Sequence, residues 1–162
     1  MTDIEEIQEL ETRIVPILQG IAKSLNAELG GSLDDVPEHL SLFVNSDPTA
    51  KFIYRWMVAA SEEFSTGVFI VTAPSRLERL YLLVDGRTAR DGQLEENGLF
   101  VFATDGGGSF FVFNVKRSFH HVDMAGWCSP SEYWDDSFLN SWSDAREFCD
   151  WFNQEYKLQN PD

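Results

Sequence analysis

The sequence predicts an α+β fold in which helices pack on a central, mostly antiparallel sheet within a single domain. Two patterns lead to this prediction. Short runs of aromatic and β-branched residues, bounded by glycine and aspartate, are typical of strands and occur in the middle of the chain. Apolar residues that recur every three or four positions are typical of amphipathic helices and occur near both ends. With 162 residues, of which 43% are hydrophobic, the chain is large enough to form a core without disulfides.

Residues 1–30 are expected to form an amphipathic helical segment that packs on the rest of the domain. Thr2 and Glu5 have the spacing of a capping box, which favours a helix that begins there. Pro16 lacks a backbone N–H and clashes with the preceding turn, so we expect the helix to kink or restart at this position. The pair Gly30-Gly31 is predicted to end the second part. A helix that binds a partner is the alternative interpretation of the same apolar stripe.

Two further helices are predicted to begin near prolines. The first is a short helix at Val36–Phe43, with Pro37 in its first turn. The second begins at Asp47-Pro48. It continues with apolar residues at helical intervals, namely Phe52, Ile53, Trp56, Met57, Ala60 and Phe64. The stretch Phe52–Val58 also alternates with the period of a strand, so a strand is the alternative there.

Residues 67–97 predict a strand, a helix and a loop. Gly67–Thr72 is a compact apolar run that favours a strand. Ser75–Glu78 has the pattern of a second capping box and predicts a helix, which Asp85-Gly86 ends. The polar stretch Arg87–Asn97 then predicts a loop.

The stretch Gly98–Val115 predicts a hairpin at the centre of the sheet. Two apolar runs, Leu99–Ala103 and Phe110–Val115, flank the turn Thr104–Ser109. Phenylalanines in both runs bury large apolar areas, which favours a central position. We expect the three consecutive glycines of the turn to supply positive φ angles. A phosphate-binding loop would require a helix directly after the glycines, and a strand is predicted there instead.

The C-terminal part predicts a strand, an irregular segment and a helix. Ser118–Asp123 is expected to be the next strand, and Trp127–Asn140 is expected to be irregular. Ser141–Tyr156 predicts a final helix. Its apolar face would consist of Ala145, Phe148, Cys149, Phe152 and Tyr156.

The formal net charge of −15 indicates which partners suit this chain. Met1–Thr12 contains five acidic residues and no lysine or arginine, and Ser118–Asp162 contains nine acidic residues against two basic ones. Such a surface repels nucleic acid and anionic membranes, and it attracts a basic protein. The sequence has neither a signal peptide nor an apolar run long enough for a membrane span, so we expect a cytoplasmic protein with free thiols.

The residue types that carry chemistry do not form a catalytic or metal-binding pattern. His120 and His121 are adjacent on a predicted strand, so their side chains should point to opposite faces. His121 shares a face with Asp123, which provides two metal ligands at most. Cys128 is placed in a loop and Cys149 in the core. We therefore expect no metal and no cofactor, whereas the residues alone leave a Ser-His-Asp triad open.

Several of these segments together resemble the SUKH superfamily, which groups a fungal regulator of cell-wall synthesis with many bacterial immunity proteins. The Gly-rich turn between two aromatic strands, Leu99–Ala103 and Phe111–Val115, is the most distinctive similarity. The other similar segments are Val36-Pro37-Glu38 with the apolar helix after it, Phe69–Val71 with Ser75–Glu78, Ser118–Asp123, and Ser141–Phe152. The chain departs from the family at Asn45–Pro48, where members commonly have an Asn-Gly-Gly-like turn.

The resemblance implies that residues 31–162 form a SUKH-like α+β domain that binds a partner and catalyses no reaction. Bacterial members of the superfamily are cytoplasmic immunity proteins that neutralise a toxin delivered by a neighbouring cell. Many of these toxins are nucleases, whose clefts are basic because they hold phosphates. An acidic inhibitor would attract and occlude such a cleft. Alternatives are a regulatory scaffold that binds a host protein and a small ligand-binding or enzymatic domain with a pocket beside the sheet.

One acidic and aromatic segment is the predicted binding site for this partner. Aromatic rings provide buried anchors at interfaces, while carboxylates at the rim meet lysine and arginine. The alternative is that Tyr133 and Trp134 pack under their own loop. We assign to the partner-binding site Glu132, Tyr133, Trp134, Asp135 and Asp136, together with Asp105 of the Gly-rich turn.

Overall fold

The computed structural model describes residues 1–30, 33, 36, 41, 44–58, 60–71, 99–107, 109–123 and 138–161. Within these ranges the chain forms a six-stranded antiparallel sheet that is combined with helices in one compact domain. This arrangement confirms the predicted α+β fold.

The strands of the sheet follow one another in chain order, and each pairs antiparallel with the next. They are β1 (Phe64–Ser65), β2 (Ile70–Val71), β3 (Leu99–Thr104), β4 (Ser109–Asn114), β5 (Ser118–Asp123) and β6 (Phe138–Trp142). The predicted hairpin is confirmed as β3 and β4, which are the two central strands. The strand predicted at Ser118–Asp123 is confirmed as β5.

The central strands are buried on both faces, which explains why their sequences are continuous apolar runs. Phe100 lies opposite Phe113, and Val101 lies opposite Val112 on the other face. All four side chains are fully buried. The pairing of β3 with β4 shifts between Val101 and Ala103, which marks a β-bulge.

The N-terminal segment forms two helices, α1 (Asp3–Arg13) and α2 (Val15–Ser24). The predicted capping box is confirmed, because the Thr2 side chain accepts a hydrogen bond from the Glu5 amide and the Glu5 carboxylate accepts one from the Thr2 amide. The predicted restart is also confirmed, with Pro16 in the first turn of α2. The predicted end at Gly30-Gly31 is wrong. Asn26 adopts a positive φ of 57° and already turns the chain out of the helix.

Asp47 and Pro48 begin a helix as predicted, and the helical interpretation is confirmed over the strand as far as Val58. Helix α3 (Pro48–Ile53) is capped by the Asp47 carboxylate, and a π-helical turn (Tyr54–Val58) continues it. Phe64 was expected on this helix but lies in β1, where it pairs with Val71. Phe64 is buried in β1, so its apolar character fits a strand as well as it fits the expected helix.

The C-terminal helix α4 spans Ala145–Gln159. The predicted start at Ser141 is wrong because Ser141 belongs to β6 and the Asp144 carboxylate caps the helix. Residues 138–140, which were expected to be irregular, also lie in β6. The middle of β6 is exposed, so it lacks the apolar pattern that identifies a strand.

Two of the other predicted elements lie outside the described residues, and a third lies mostly outside them. They are the helix at Ser75–Glu78, the loop at Arg87–Asn97 and the short helix at Val36–Phe43. The strand predicted at Gly67–Thr72 begins later than expected, because Gly67–Phe69 precede β2, and Thr72 lies outside the described residues.

Aromatic rings join α4 to the sheet. The Phe148 ring lies 4.6 Å from that of Phe119, stacked, and 5.7 Å from that of Phe102, edge-on. One turn further along α4, the Phe152 ring lies 5.2 Å from that of Phe69. These buried phenylalanines form the core that positions the helices.

Replacing Phe148 by alanine is expected to lower the free energy of unfolding by about 3–5 kcal/mol, because it removes a buried ring and leaves a cavity. Chemical denaturation followed by circular dichroism measures this loss. Leu158→Ala on the same helix is the control, since Leu158 is 67% exposed and its truncation should change stability by less than about 0.5 kcal/mol. Equal effects of the two substitutions would contradict the packing described here.

Candidate partner-binding surface

Of the residues predicted to bind a partner, the structure describes Asp105. The segment Glu132–Asp136 lies outside the described residues. Asp105 stabilises the β3–β4 turn, since its Oδ1 accepts hydrogen bonds from the backbone amides of Gly107 (2.8 Å) and Ser109 (3.1 Å). Gly106 in the same turn has a φ of +80°, which confirms the predicted positive φ at this glycine, but the prediction is wrong for Gly107, whose φ is not positive, and Gly108 lies outside the described residues.

The second carboxylate oxygen of Asp105 lies 3.0 Å from Nε2 of His121. Partial burial acts to raise the pKa of Asp105, but the hydrogen bonds from Gly107, His121 and Ser109 outweigh it and hold that pKa below its ordinary value. Asp105 therefore keeps its negative charge at the tip of the hairpin. Its polar contacts within the turn account for its position without a partner.

The two histidines of β5 point to opposite faces, as predicted. His121 stacks on Phe111 with ring centroids 4.3 Å apart. The His120 ring lies 2.8 Å from the hydroxyls of both Ser118 and Ser141. Within the described ranges, no three His, Cys, Asp or Glu side chains are grouped so that they could hold a metal ion.

Cys149 lies in the core of the protein, as predicted. It is fully buried and has a free thiol. Burial raises the pKa of this thiol to about 12, so it stays protonated and is a poor nucleophile at neutral pH. Cys128 lies outside the described residues.

Arg117 is the centre of a partly buried polar cluster that the sequence did not reveal. It lies in the turn between β4 and β5, with a positive φ of 78°. Its guanidinium contacts the carboxylate of Asp3 and lies 3.4 Å from Glu6 and 3.7 Å from Asp47. It also donates a hydrogen bond to the Thr49 hydroxyl at 3.2 Å. The cluster thus joins α1, the beginning of α3 and the sheet.

Glu6 is the deepest member of this cluster. Its side chain is fully buried, and its Oε1 has no hydrogen-bond partner. Desolvation by burial raises the pKa of Glu6 above its ordinary value, although Arg117 and the Thr49 hydroxyl act in the opposite direction. Ionisation of the Glu6 carboxyl group therefore lowers the stability of the folded protein.

The remaining arginines of the described part also contact groups of the chain itself. Arg13 joins α1 to α4, since its guanidinium lies 2.7 Å from Asp150 and 3.3 Å from Glu9. Arg146 lies 3.2 Å from the same Glu9. The guanidinium of Arg55 lies over the ring of Trp56 at 5.2 Å.

Helices α1, α2 and α3 with its π-helical turn enclose a surface groove of about 370 Å³. We call it the three-helix groove. It is lined by Ile7 and Glu11 of α1, Val15 and Gln19 of α2, Phe52 of α3, and Trp56 of the π-helical turn. The sequence showed Phe52 and Trp56 only as apolar positions of a helix. Their partial exposure became evident from the arrangement of the three helices.

Comparisons of the chain with protein-family models, curated proteins and solved structures returned no match. Among the described residues, no helix combines the length and the apolar character that crossing a membrane requires.

The raised pKa of Glu6 makes stability depend on pH. Its pKa is higher in the folded protein than its ordinary value of 4.5, so between these two values the folded state binds more protons than the unfolded state. Stability should therefore fall as the pH rises from about 4.5 through the folded-state pKa. Glu6→Gln removes this dependence, so the stability of the wild type relative to that variant should decrease over the same range.

Urea denaturation of the wild type and of Glu6→Gln between pH 4 and pH 8 measures the difference. Glu11→Gln provides a control, because Glu11 is exposed on the same helix. A wild type that gains stability relative to Glu6→Gln as the pH rises would contradict the raised pKa of Glu6.

Proposed function

We propose that this protein is a cytoplasmic immunity protein that binds and neutralises a basic protein toxin of the nuclease type. The observation that carries the proposal is that the described arginines contact groups of their own chain. Each of the four arginines in the described ranges, Arg13, Arg55, Arg117 and Arg146, is engaged by the chain's own carboxylates or by Trp56. The chain as a whole retains a net charge of −15.

This distribution of charge suits recognition of a cation and opposes recognition of a phosphate. Arginines that bind nucleic acid must present their guanidinium groups to phosphates or bases. The guanidinium groups of the four described arginines are directed to groups of the same chain, while the chain as a whole has an excess of carboxylates. Carboxylates at a protein surface accelerate association with a basic cleft and align the two molecules. Nuclease clefts are basic because they bind phosphates, so they match this surface.

That the partner is a toxin, and that binding neutralises it, is inferred from the resemblance of the sequence to the SUKH superfamily. Immunity proteins of this superfamily bind their toxins and catalyse no reaction, and we propose the same for this chain. The acidic and aromatic segment Glu132–Asp136 would provide the anchors of the interface. Asp105 would contribute a peripheral negative charge from the hairpin tip, where 26% of its side chain is exposed.

Affinity capture from a lysate of the source organism, with identification of the retained proteins by mass spectrometry, tests the proposal. A single basic, toxin-like domain that elutes as the salt concentration rises would support it. Retention of a housekeeping protein would instead support the regulatory scaffold. If the toxin is present in the lysate and is not retained, the immunity function is wrong.

Neutralising the acidic pair in Asp135→Asn/Asp136→Asn should weaken binding of the captured toxin. Two interfacial carboxylates that meet basic side chains at the rim are expected to contribute a factor of about ten together. The association rate should fall most at low ionic strength, where charges are least screened. Surface plasmon resonance over a series of salt concentrations measures both effects.

The matched control is Glu62→Gln/Glu63→Gln, which removes the same formal charge from an adjacent acidic pair on the exposed stretch before β1. It should retain the affinity of the wild type to within about two-fold. Unchanged affinity in the Asp135/Asp136 variant would show that this segment lies outside the interface.

A further inference from the structure

The three-helix groove has the composition of a site for an apolar side chain with a cation beside it. Ile7, Val15, Phe52 and Trp56 provide apolar walls. Among the described residues of the lining, Glu11 alone is charged, and Gln19 is its neutral polar neighbour on α2. The groove measures about 370 Å³, which exceeds the volume of a single large side chain.

Trp56 is held in place before any partner binds. A Cβ atom on Gly30, whose φ is +80°, would lie only 2.3 Å from Cζ3 of the indole, so the glycine backbone packs directly against this ring. The Arg55 guanidinium covers the same ring at 5.2 Å. Trp56 also lies in a π-helical turn, a rare geometry that is often found at functional sites. A rigid aromatic wall loses little conformational freedom on binding.

Glu11 supplies a negative charge at the groove. It is exposed, and its carboxylate makes no hydrogen bond or ion pair with another residue of the described part of the chain. Arg55, which precedes Trp56 in the sequence, is exposed, and its guanidinium lies over the Trp56 ring at 5.2 Å. The apolar surface continues beyond the groove, because Ile4 lies one turn before Ile7 on α1 and is 77% exposed.

We propose that the three-helix groove is a docking site for a segment of the basic partner, in which an apolar side chain enters the groove and an adjacent arginine or lysine pairs with Glu11. This inference rests on the proposed function, which supplies a basic protein as the partner. It adds a second contact surface, formed by the N-terminal helices, to the segment predicted at Glu132–Asp136.

The test uses two blocked dipeptides as probes, N-acetyl-leucyl-argininamide and N-acetyl-leucyl-glutaminamide. Each is titrated into the ¹⁵N-labelled full chain, and NMR chemical shifts are recorded. The arginine peptide should shift the backbone amides of Ile7, Glu11 and Gln19 and the indole N–H of Trp56. It should bind about two- to five-fold more tightly than the glutamine peptide, which is the range expected for an exposed ion pair.

Glu11→Gln should abolish this preference and leave the spectrum otherwise unchanged, because Glu11 is exposed. Glu155→Gln on α4 is the matched control. It should keep the preference for the arginine peptide, since Glu155 does not line the groove. Shifts that are absent from the groove, or equal affinities of the two peptides for the wild type, would overturn the inference. These outcomes leave the proposed function open to its own test, because neither peptide probes the neutralisation of a toxin.

Discussion

The packing of aromatic rings between α4 and the central strands is the interaction on which the rest of this structure depends. Phe148 packs against both Phe102 and Phe119, and the helix that carries it is thereby fixed to the sheet. Helix α1 packs in turn on α4, where Arg13 joins Glu9 to Asp150. Since α1 forms one wall of the three-helix groove, the geometry of that surface follows from the core beneath it.

The arginines of the described part make contacts within the domain, and these contacts affect the charge of its surface. Arg117 offsets part of the cost of burying Glu6 and holds α1 and the beginning of α3 against the β4–β5 turn. The charges of Arg13, Arg117 and Arg146 are offset by carboxylates of the same chain. The excess carboxylates remain as the dominant charge, which links the packing of the fold to the kind of partner it can bind.

The sequence predicted the features that depend on neighbouring residues, and it did not predict those that depend on distant ones. The β3–β4 hairpin and the capping box at Thr2 are local patterns, so they were recognisable. Glu6 and Arg117 are separated by 111 positions, and their contact requires the complete fold. Strand β6 escaped recognition because its middle is exposed. The three-helix groove was invisible because apolar residues of a helix look alike in sequence whether they face a core or a groove.

We propose that this acidic domain neutralises a basic toxin by binding it. The most direct measurement is the activity of the captured toxin on its own substrate while the purified protein is titrated into the assay. We expect that activity is lost at about one equivalent and that the loss is reversed as added salt screens the charges. A toxin that stays fully active in the presence of excess bound protein would contradict the claim.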